Sequence, residues 1–141
     1  MFKIRFSMIR EVFDLKTDER IEINDITHEI QLIVGQSTFK NGLVNIYSRH
    51  STSGIVINEN EEGLLKDFQD ALENLVPSNE NYNHNRIDNN ADSHIRSFLI
   101  GNTVTIPLYD GKLDLGTWQS IFFVELDGPR RRKVTVTVTG D

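Results

Sequence analysis

Three of the four histidines, His50, His84 and His94, lie at or beside the ends of predicted strands or helices in separate parts of the chain. Three neutral imidazoles that converge on one point form a site for a divalent metal ion, with open positions for water and substrate. Their spacing matches no metal motif, so a second interpretation stays open. His50 shares one face of its predicted strand with the aliphatic Val44 and Ile46. It could therefore be a histidine that closes the edge of the core rather than a metal ligand.

Two carboxylates lie next to the histidine-bearing segments and could assist them. Glu59 follows the segment that contains His50, and Asp92 is two residues before His94. Each could orient a histidine by hydrogen bonding or act as a general base. Both also lie at predicted helix starts, where a carboxylate interacts favourably with the helix dipole. The sequence supports both interpretations equally.

Two further segments contain residues that could form a binding or catalytic site. The basic run of residues 130–133, which begins with Arg130, could hold a phosphate, because guanidinium groups match phosphate oxygens; it could equally be the basic rim of a solvated hairpin. Residues 116–119 contain Trp118 and Gln119, with Glu125 on the strand that follows. We interpret this tryptophan as a buried packing residue rather than a catalytic one.

The elements that position these residues can be read from hydrophobic periodicity. Residues 43–50 alternate as a strand that ends at His50, residues 51–54 form a polar kink, and residues 55–57 continue as a second apolar piece. Asn58 and Glu61 predict a capping box before the helix 61–76, whose apolar residues form one wide stripe. His84 lies in an asparagine-rich loop, residues 78–90, and His94 lies in a helix that begins at Ala91 and stops at Gly101.

The remaining chain is predicted to be mostly strand. Residues 2–15, 20–24, 103–108, 112–115, 118–126 and 133–139 alternate, and a further helix follows Asp25 or Thr27. Residues 118–126 are apolar on both faces, which predicts a central strand. The sum is an α+β fold: about seven strands, mostly hairpin-linked, form an antiparallel or mixed sheet assembly that two or three helices cover.

Composition limits the functional classes. A chain of 141 residues is one domain by its length, residues 1–141. It contains no cysteine, so a thiolate metal site is excluded and a cytoplasmic location is favoured. A net charge of −6 argues against nucleic acid as a partner. No apolar run is long enough to span a membrane, and the charged N-terminus does not match a signal peptide.

Several short motifs occur in a fixed order along nearly the whole chain. They are His50-Ser51-Thr52-Ser53-Gly54, Asn58-Glu59-Asn60, Pro77, Tyr82-Asn83-His84, residues 92–97, Gly101, residues 116–119 and residues 125–130. In this order and spacing they resemble the YjbQ family, which is also called the secondary thiamine-phosphate synthase family. One departure is His50-Ser51-Thr52, where the family usually has His-Thr-Ser or His-Thr-Thr.

The resemblance implies a homotrimer whose polar pocket includes His50, His84 and His94, and in some family members this pocket holds a metal or an anion. Bacterial members are similar to a protein with weak thiamine-phosphate synthase activity, in which pyrophosphate is displaced. By this resemblance we expect a divalent metal, zinc first among the candidates, near a subunit boundary. Together with Arg130 and Arg96, the metal would stabilise the leaving oxygens of a phosphorylated small molecule.

An alternative of another class is a trimeric binding module that holds a small phosphorylated or carboxylated ligand and catalyses nothing. A third is a structural protein whose histidines are satisfied within the core. The first alternative predicts saturable binding that depends little on Glu59. The second predicts that no polar groups converge on a shared pocket.

Overall fold

The computed structural model describes residues 6–141, which form two antiparallel sheets. The first has the strand order β1–β8–β3–β5–β6 and the second has the order β2–β7–β4. The strands are β1 (Met8–Lys16), β2 (Glu22–Asp25), β3 (Gly42–Ser48), β4 (Ser53–Asn58), β5 (Thr103–Tyr109), β6 (Lys112–Leu113), β7 (Ser120–Glu125) and β8 (Arg131–Gly140). The predicted first strand begins at residue 2, and its part within residues 1–5 lies outside the described residues.

Three α-helices accompany the sheets within residues 6–141: α1 (Thr27–Ser37), α2 (Glu62–Leu75) and α3 (Ala91–Ile100). The predicted α+β fold with antiparallel sheets is therefore confirmed, with eight described strands rather than about seven. Among residues 6–141, no helix has the length and apolar character needed to cross a membrane. The predicted capping box is displaced, because the carboxylate of Glu61 itself accepts the hydrogen bond from the amide of Leu64 at the start of α2.

The main core joins the two sheets and α1. Alternate residues of β8 and β3 face inward, as period-two patterning requires, and they meet β4 and β7 of the other sheet. Ile30 and Val34 of α1 belong to the same cluster. The sheet residues of this core are Val44, Ile46, Ile55, Ile106, Leu108, Ile121, Phe123, Val134, Val136 and Val138.

β7 is the central strand of its sheet, as its two apolar faces predicted. Ile121 and Phe123 point into the main core, whereas Val124 belongs to a second cluster with Leu72 of α2 and Leu126. This strand pairs with β2 on one side and β4 on the other. The strands that surround β7 thus fix the position of the segment that follows His50.

Two local expectations need correction. The asparagine-rich segment was predicted to be a loop, but it contains a short 3-10 helix, Asn83–Arg86. The Tyr82 hydroxyl donates to the carbonyl of Pro77 at 2.6 Å and holds the start of this segment. Trp118 was predicted to be buried and is instead 73% exposed, because it precedes β7 and lies outside the sheet.

Candidate functional site

His84 and His94 meet at the surface. Their ring centroids are 4.8 Å apart and the rings are edge to face at 76°. His84 is carried by the 3-10 helix and His94 by α3, and the two elements are joined because the Asn85 side chain accepts the amide hydrogen of Ala91 at 3.1 Å. We call this contact the histidine pair. It is the part of the predicted three-histidine cluster that one chain brings together.

A chain of hydrogen bonds fixes the tautomer of His84. The guanidinium of Arg130 and the amide nitrogen of Asn90 both donate to Asp127 Oδ2, each at 2.9 Å. The carbonyl oxygen of Asn90 therefore faces His84 Nε2, at 3.1 Å, so this nitrogen carries the proton and donates it. The lone pair of His84 is left on Nδ1, where it can bind a metal ion or accept a proton.

Two shallow cavities flank the histidine pair. One, of about 420 Å³, is lined by both histidines together with Tyr82 and Phe98. The other, of about 270 Å³, is lined by His94 and Phe98 and also by Ser51, which belongs to the polar kink after β3. His94 thus faces two hollows, and residues 50–54, which we call the His50 loop, form part of one wall.

His50 does not join the histidine pair. Its Nε2 accepts the amide hydrogen of Lys133 at 3.0 Å, so the ring proton of neutral His50 lies on Nδ1 and the lone pair of Nε2 is occupied. Within residues 6–141, no group of three histidine, cysteine or acidic residues is placed to hold a metal ion. The predicted convergence of three histidines is therefore not found within one chain.

Burial and the charge of Arg132 lower the pKa of His50 below its ordinary value of 6.5. We expect nuclear magnetic resonance (NMR) titration to show neutral His50 as the Nδ1–H tautomer, with a pKa below the ordinary value of 6.5. Because the unfolded chain binds this proton more tightly, His50 should contribute stability that decreases as the pH falls below the unfolded pKa. A His50 ring protonated on Nε2 would contradict the hydrogen bond from Lys133.

A buried ion pair between Arg132 and Glu125 anchors the His50 loop. Arg132 and Glu125 form two hydrogen bonds, and their side chains are only 4% and 0% exposed. Arg132 also donates to Thr52 Oγ1 at 2.9 Å, and Thr17 Oγ1 donates to Glu125 at 2.7 Å. Burial acts to raise the pKa of Glu125, but the hydrogen bonds from Arg132 and Thr17 outweigh it and the pKa is lowered.

Hydroxyl groups complete the anchoring of the loop. The hydroxyls of Ser48 and Ser53 are 2.6 Å apart, and Ser97 of α3 donates to the carbonyl of Ser53 at 2.6 Å. The sequence patterns did not place Thr17, Arg132 or Ser97 in this neighbourhood. One signal was present, since Glu125 alternates with Ile121 and Phe123 on a core face, where a charge needs a partner.

Asp92 is bound to arginines rather than to a histidine. Arg20 donates two hydrogen bonds to its carboxylate, at 2.9 and 3.0 Å, and Arg96 Nη1 lies 3.2 Å away in a contact of ionic distance but poor hydrogen-bond angle. Burial acts to raise the pKa of Asp92, but the bonds and charges of Arg20 and Arg96 lower it. The geometry thus favours the structural interpretation of this carboxylate.

Arg96 is not available to a ligand in this chain. It is 1% exposed, and its Nε and Nη2 atoms donate to the carbonyl of Val76, at 3.1 and 2.6 Å. That carbonyl lies at the end of α2, where backbone acceptors lack helical partners. The prediction that Arg96 faces the leaving oxygens of a ligand is therefore wrong for this chain. Arg96 is buried, and its guanidinium contacts the end of α2 and Asp92 instead.

Glu59 lies at the far end of β4 from the His50 loop. β4 extends from Ser53 to Asn58, a distance of roughly 17 Å at the usual strand rise. Glu59 lines a different hollow, together with Leu64 and Phe68 of α2. It lines neither of the cavities beside the histidine pair.

The basic run is divided among different contacts. Arg130 binds Asp127, Arg132 binds Glu125, and Lys133 binds Asp14 at 2.7 Å. Arg131 is exposed and stands opposite Lys16 in the β1–β8 ladder, beside a surface cavity of about 440 Å³. The run is therefore neither one clamp nor a uniform rim. Within residues 116–119, the Gln119 side chain accepts the amide hydrogen of Gly116 at 2.8 Å, which is a contact within a turn.

Comparison with known proteins places this architecture in one class: small α+β proteins described as UPF0047 or YjbQ-like. The family model "UPF0047 protein YjbQ-like" matches residues 11–141. The chain belongs to this family, as its motifs predicted. It is 53% identical to a UPF0047 protein of Methanothermobacter thermautotrophicus, with 89% of this chain and 88% of the relative covered. It is 32% identical to UPF0047 protein YugU of Bacillus subtilis, covering 92% and 98%.

Solved structures agree with this assignment. A YbjQ-like protein of unknown function from Sulfolobus solfataricus P2 superposes with a TM-score of 0.95 at 38% identity, covering 97% of this chain and 100% of that one. A hypothetical protein from Aeropyrum pernix K1 superposes with a TM-score of 0.92 at 34% identity, covering 94% and 99%. The fold is thus shared along nearly the full length of both chains.

Proposed function

We propose that the protein is a small enzyme-like member of its family that binds a small phosphorylated or carboxylated molecule at the histidine pair. The observation that carries this proposal is the hydrogen-bond chain from Arg130 through Asp127 and Asn90 to His84. It orients one imidazole and leaves its Nδ1 lone pair free beside His94. His84, oriented in this way at the rim of one cavity and next to His94, which lines both cavities, suits a ligand-binding role.

A divalent metal ion, with zinc as the first choice, fits the donor atoms in part. Two imidazoles are one fewer than the three protein ligands of most catalytic zinc sites, so water, the ligand or a neighbouring copy would complete the set. When bound, the metal would supply positive charge to the oxygens of a displaced pyrophosphate, the reaction of a thiamine-phosphate synthase. His84 and His94 would hold it, and Arg130 would keep the chain to His84 in place.

A homotrimer would place such a completing group near the pair, and the surface around it supports this arrangement. Phe98 is 88% exposed, Ile87 is 87% exposed and Leu99 is 57% exposed, all on or beside the elements that carry the two histidines. Large apolar side chains that cluster on a surface mark contact sites. We propose the same cytoplasmic, trimeric setting for the second candidate below.

The second candidate is a trimeric binding module that catalyses nothing. It is favoured by the positions of the two carboxylates considered as general bases: Asp92 is bound to arginines and Glu59 lies beyond β4. Assay of the purified protein with the two thiamine precursors separates the candidates, since the module predicts saturable binding without turnover.

Alanine replacement of the pair tests the metal directly. We expect His84→Ala and His94→Ala to lose at least nine-tenths of the bound zinc, because each removes one of the two donors that the chain provides. His28→Ala is the matched control, since His28 is exposed on α1. Zinc is measured by elemental analysis after dialysis, together with mass in solution. Equal zinc in all three variants would contradict a metal at the pair.

A further inference from the structure

α2 packs on the second sheet through only part of its length. Near its C-terminal end, Leu72 is 5% exposed and Val76 is 4% exposed. Arg96 holds that end by donating two hydrogen bonds to the carbonyl of Val76. Nearer the N-terminus, Leu64 is 39% exposed and Phe68 is half-buried. The apolar stripe of α2 is therefore not filled by its own sheet at the N-terminal end.

A cavity of about 270 Å³ lies between this half of α2 and the sheet, and we call it the α2 cleft. The sheet contributes Ile23, Val56 and the fully buried Phe122, and the helix contributes Leu65 and Phe68. Its lining is predominantly apolar. Dry apolar cavities of about 150 Å³ bind benzene, so a space of this size and lining can accept a larger organic group.

The charge at the α2 cleft is negative. Glu59 lines it and is half-buried, and among residues 6–141 its carboxylate has no recorded hydrogen bond or ion pair. No lysine, arginine or histidine is among the described lining residues. The N-terminus of α2 would favour an anion, but the carboxylate of Glu61 already occupies its exposed amide of Leu64 at 2.6 Å. An unpaired, half-buried carboxylate beside an apolar space is complementary to a cation that carries an apolar body.

We propose that the α2 cleft binds a small organic cation, namely a protonated amine on a compact aromatic body. By comparison with benzene in a cavity of about 150 Å³, the body and its side chain would contain about ten non-hydrogen atoms. The ring lies between Val56, Phe122 and Phe68, and the ammonium group donates to Glu59. This site is separate from the histidine pair, and the proposal does not rest on the function proposed for that pair.

Three probes of matched shape test the charge: 2-phenylethylammonium, neutral 2-phenylethanol and anionic 3-phenylpropanoate. We expect the ammonium to bind at least tenfold more tightly than either of the others in titration calorimetry, since only it pairs with Glu59. Amide chemical-shift changes should be centred on Val56, Leu65 and Phe68. Equal affinity for the three probes, or shifts centred on His94, would overturn the proposal.

Two variants and one control separate the carboxylate from the cavity. Glu59→Gln should weaken the ammonium at least tenfold and leave phenylethanol within twofold, whereas Val56→Phe should abolish both by filling the space. Asp67→Asn, on the exposed face of the same helix, should change neither probe. An unchanged ammonium affinity in Glu59→Gln overturns the proposal. If Val56→Phe does not fold, the Glu59→Gln affinities and the map of chemical-shift changes test the proposed site without it.

Discussion

Replacement of Arg132 by methionine should lower the free energy of unfolding by about 3–5 kcal/mol, the usual effect of leaving one member of a buried ion pair alone. Glu125 is 0% exposed, so its carboxylate would keep its burial and lose two hydrogen bonds from Arg132. The bond from Arg132 to Thr52 would also be lost, which removes one of the contacts between the His50 loop and β8. Urea denaturation followed by circular dichroism measures the change.

Lys133→Met is the matched control on the same strand. Lys133 pairs with Asp14, but the two side chains are 69% and 81% exposed, and such surface pairs contribute about 0–1 kcal/mol. The double variant Arg132→Met with Glu125→Leu should be more stable than Arg132→Met alone, since no unpaired charge is left buried. A single variant as stable as the control would show that Glu125 is hydrated or neutral in the folded protein.

The same ion pair predicts how stability depends on pH. The folded-state pKa of Glu125 is lowered from its ordinary value of 4.5, so the unfolded chain binds this proton more tightly than the folded one. The stabilisation is fully present above the unfolded pKa and is lost as the pH falls through the folded pKa. In Arg132→Met that acid-side loss should be smaller or reversed, because burial then acts on Glu125 without the compensating hydrogen bonds.

Sequence patterns predicted the fold well where one period dominates a segment. The alternation of valine and threonine gave β8 its inward face, and the two apolar faces of residues 118–126 gave β7 its central place. The N-cap of α2, which is Glu61 rather than Asn58, was missed because glutamate is not among the residues preferred at that position. Sequence therefore leaves the cap residue of a helix ambiguous, whereas alternation sustained along a strand specifies which residues face inward.

The candidate site was predicted only in part, for a physical reason. His84 and His94 lie on adjacent elements, so their contact follows from local geometry. His50 instead accepts a hydrogen bond from the backbone amide of Lys133. Every residue except proline carries such an amide, so residue types could not predict this contact. Glu59 was assigned to the histidines because it follows His50 closely in sequence, yet β4 carries it to the other end of the sheet.

The buried ion pair could have been predicted from the same patterns. Glu125 alternates with inward residues of β7, and Arg132 alternates with the inward Val134 and Val136 of β8. A single turn separates the two strands, so two buried charges of opposite sign stand within reach of each other. The residue types alone favoured Arg130 instead, because adjacent arginines suggest a phosphate clamp, but strand alternation distinguishes the inward arginine from the exposed ones.

Asp92→Ala should be as destabilising as the loss of Arg132, by about 3–5 kcal/mol, because Arg96 would remain 1% exposed without its carboxylate. Asp88→Ala, at an exposed position before α3, is the control and should stay within about 0.5 kcal/mol. Urea denaturation again gives the free energy of unfolding. If Asp92 acted mainly on a histidine, the variant would instead keep its stability and lose only zinc or turnover.

The double variant Asp92→Ala with Arg96→Met distinguishes the two roles further. Removing both charges should recover part of the lost stability if the pair is structural, although the two hydrogen bonds from Arg96 to Val76 at the end of α2 are then absent. Zinc content of the folded double variant should match that of Asp88→Ala, since neither Asp92 nor Arg96 contacts the histidine pair. That result would identify Asp92 as a residue that stabilises α3 through its bonds to Arg20 and Arg96.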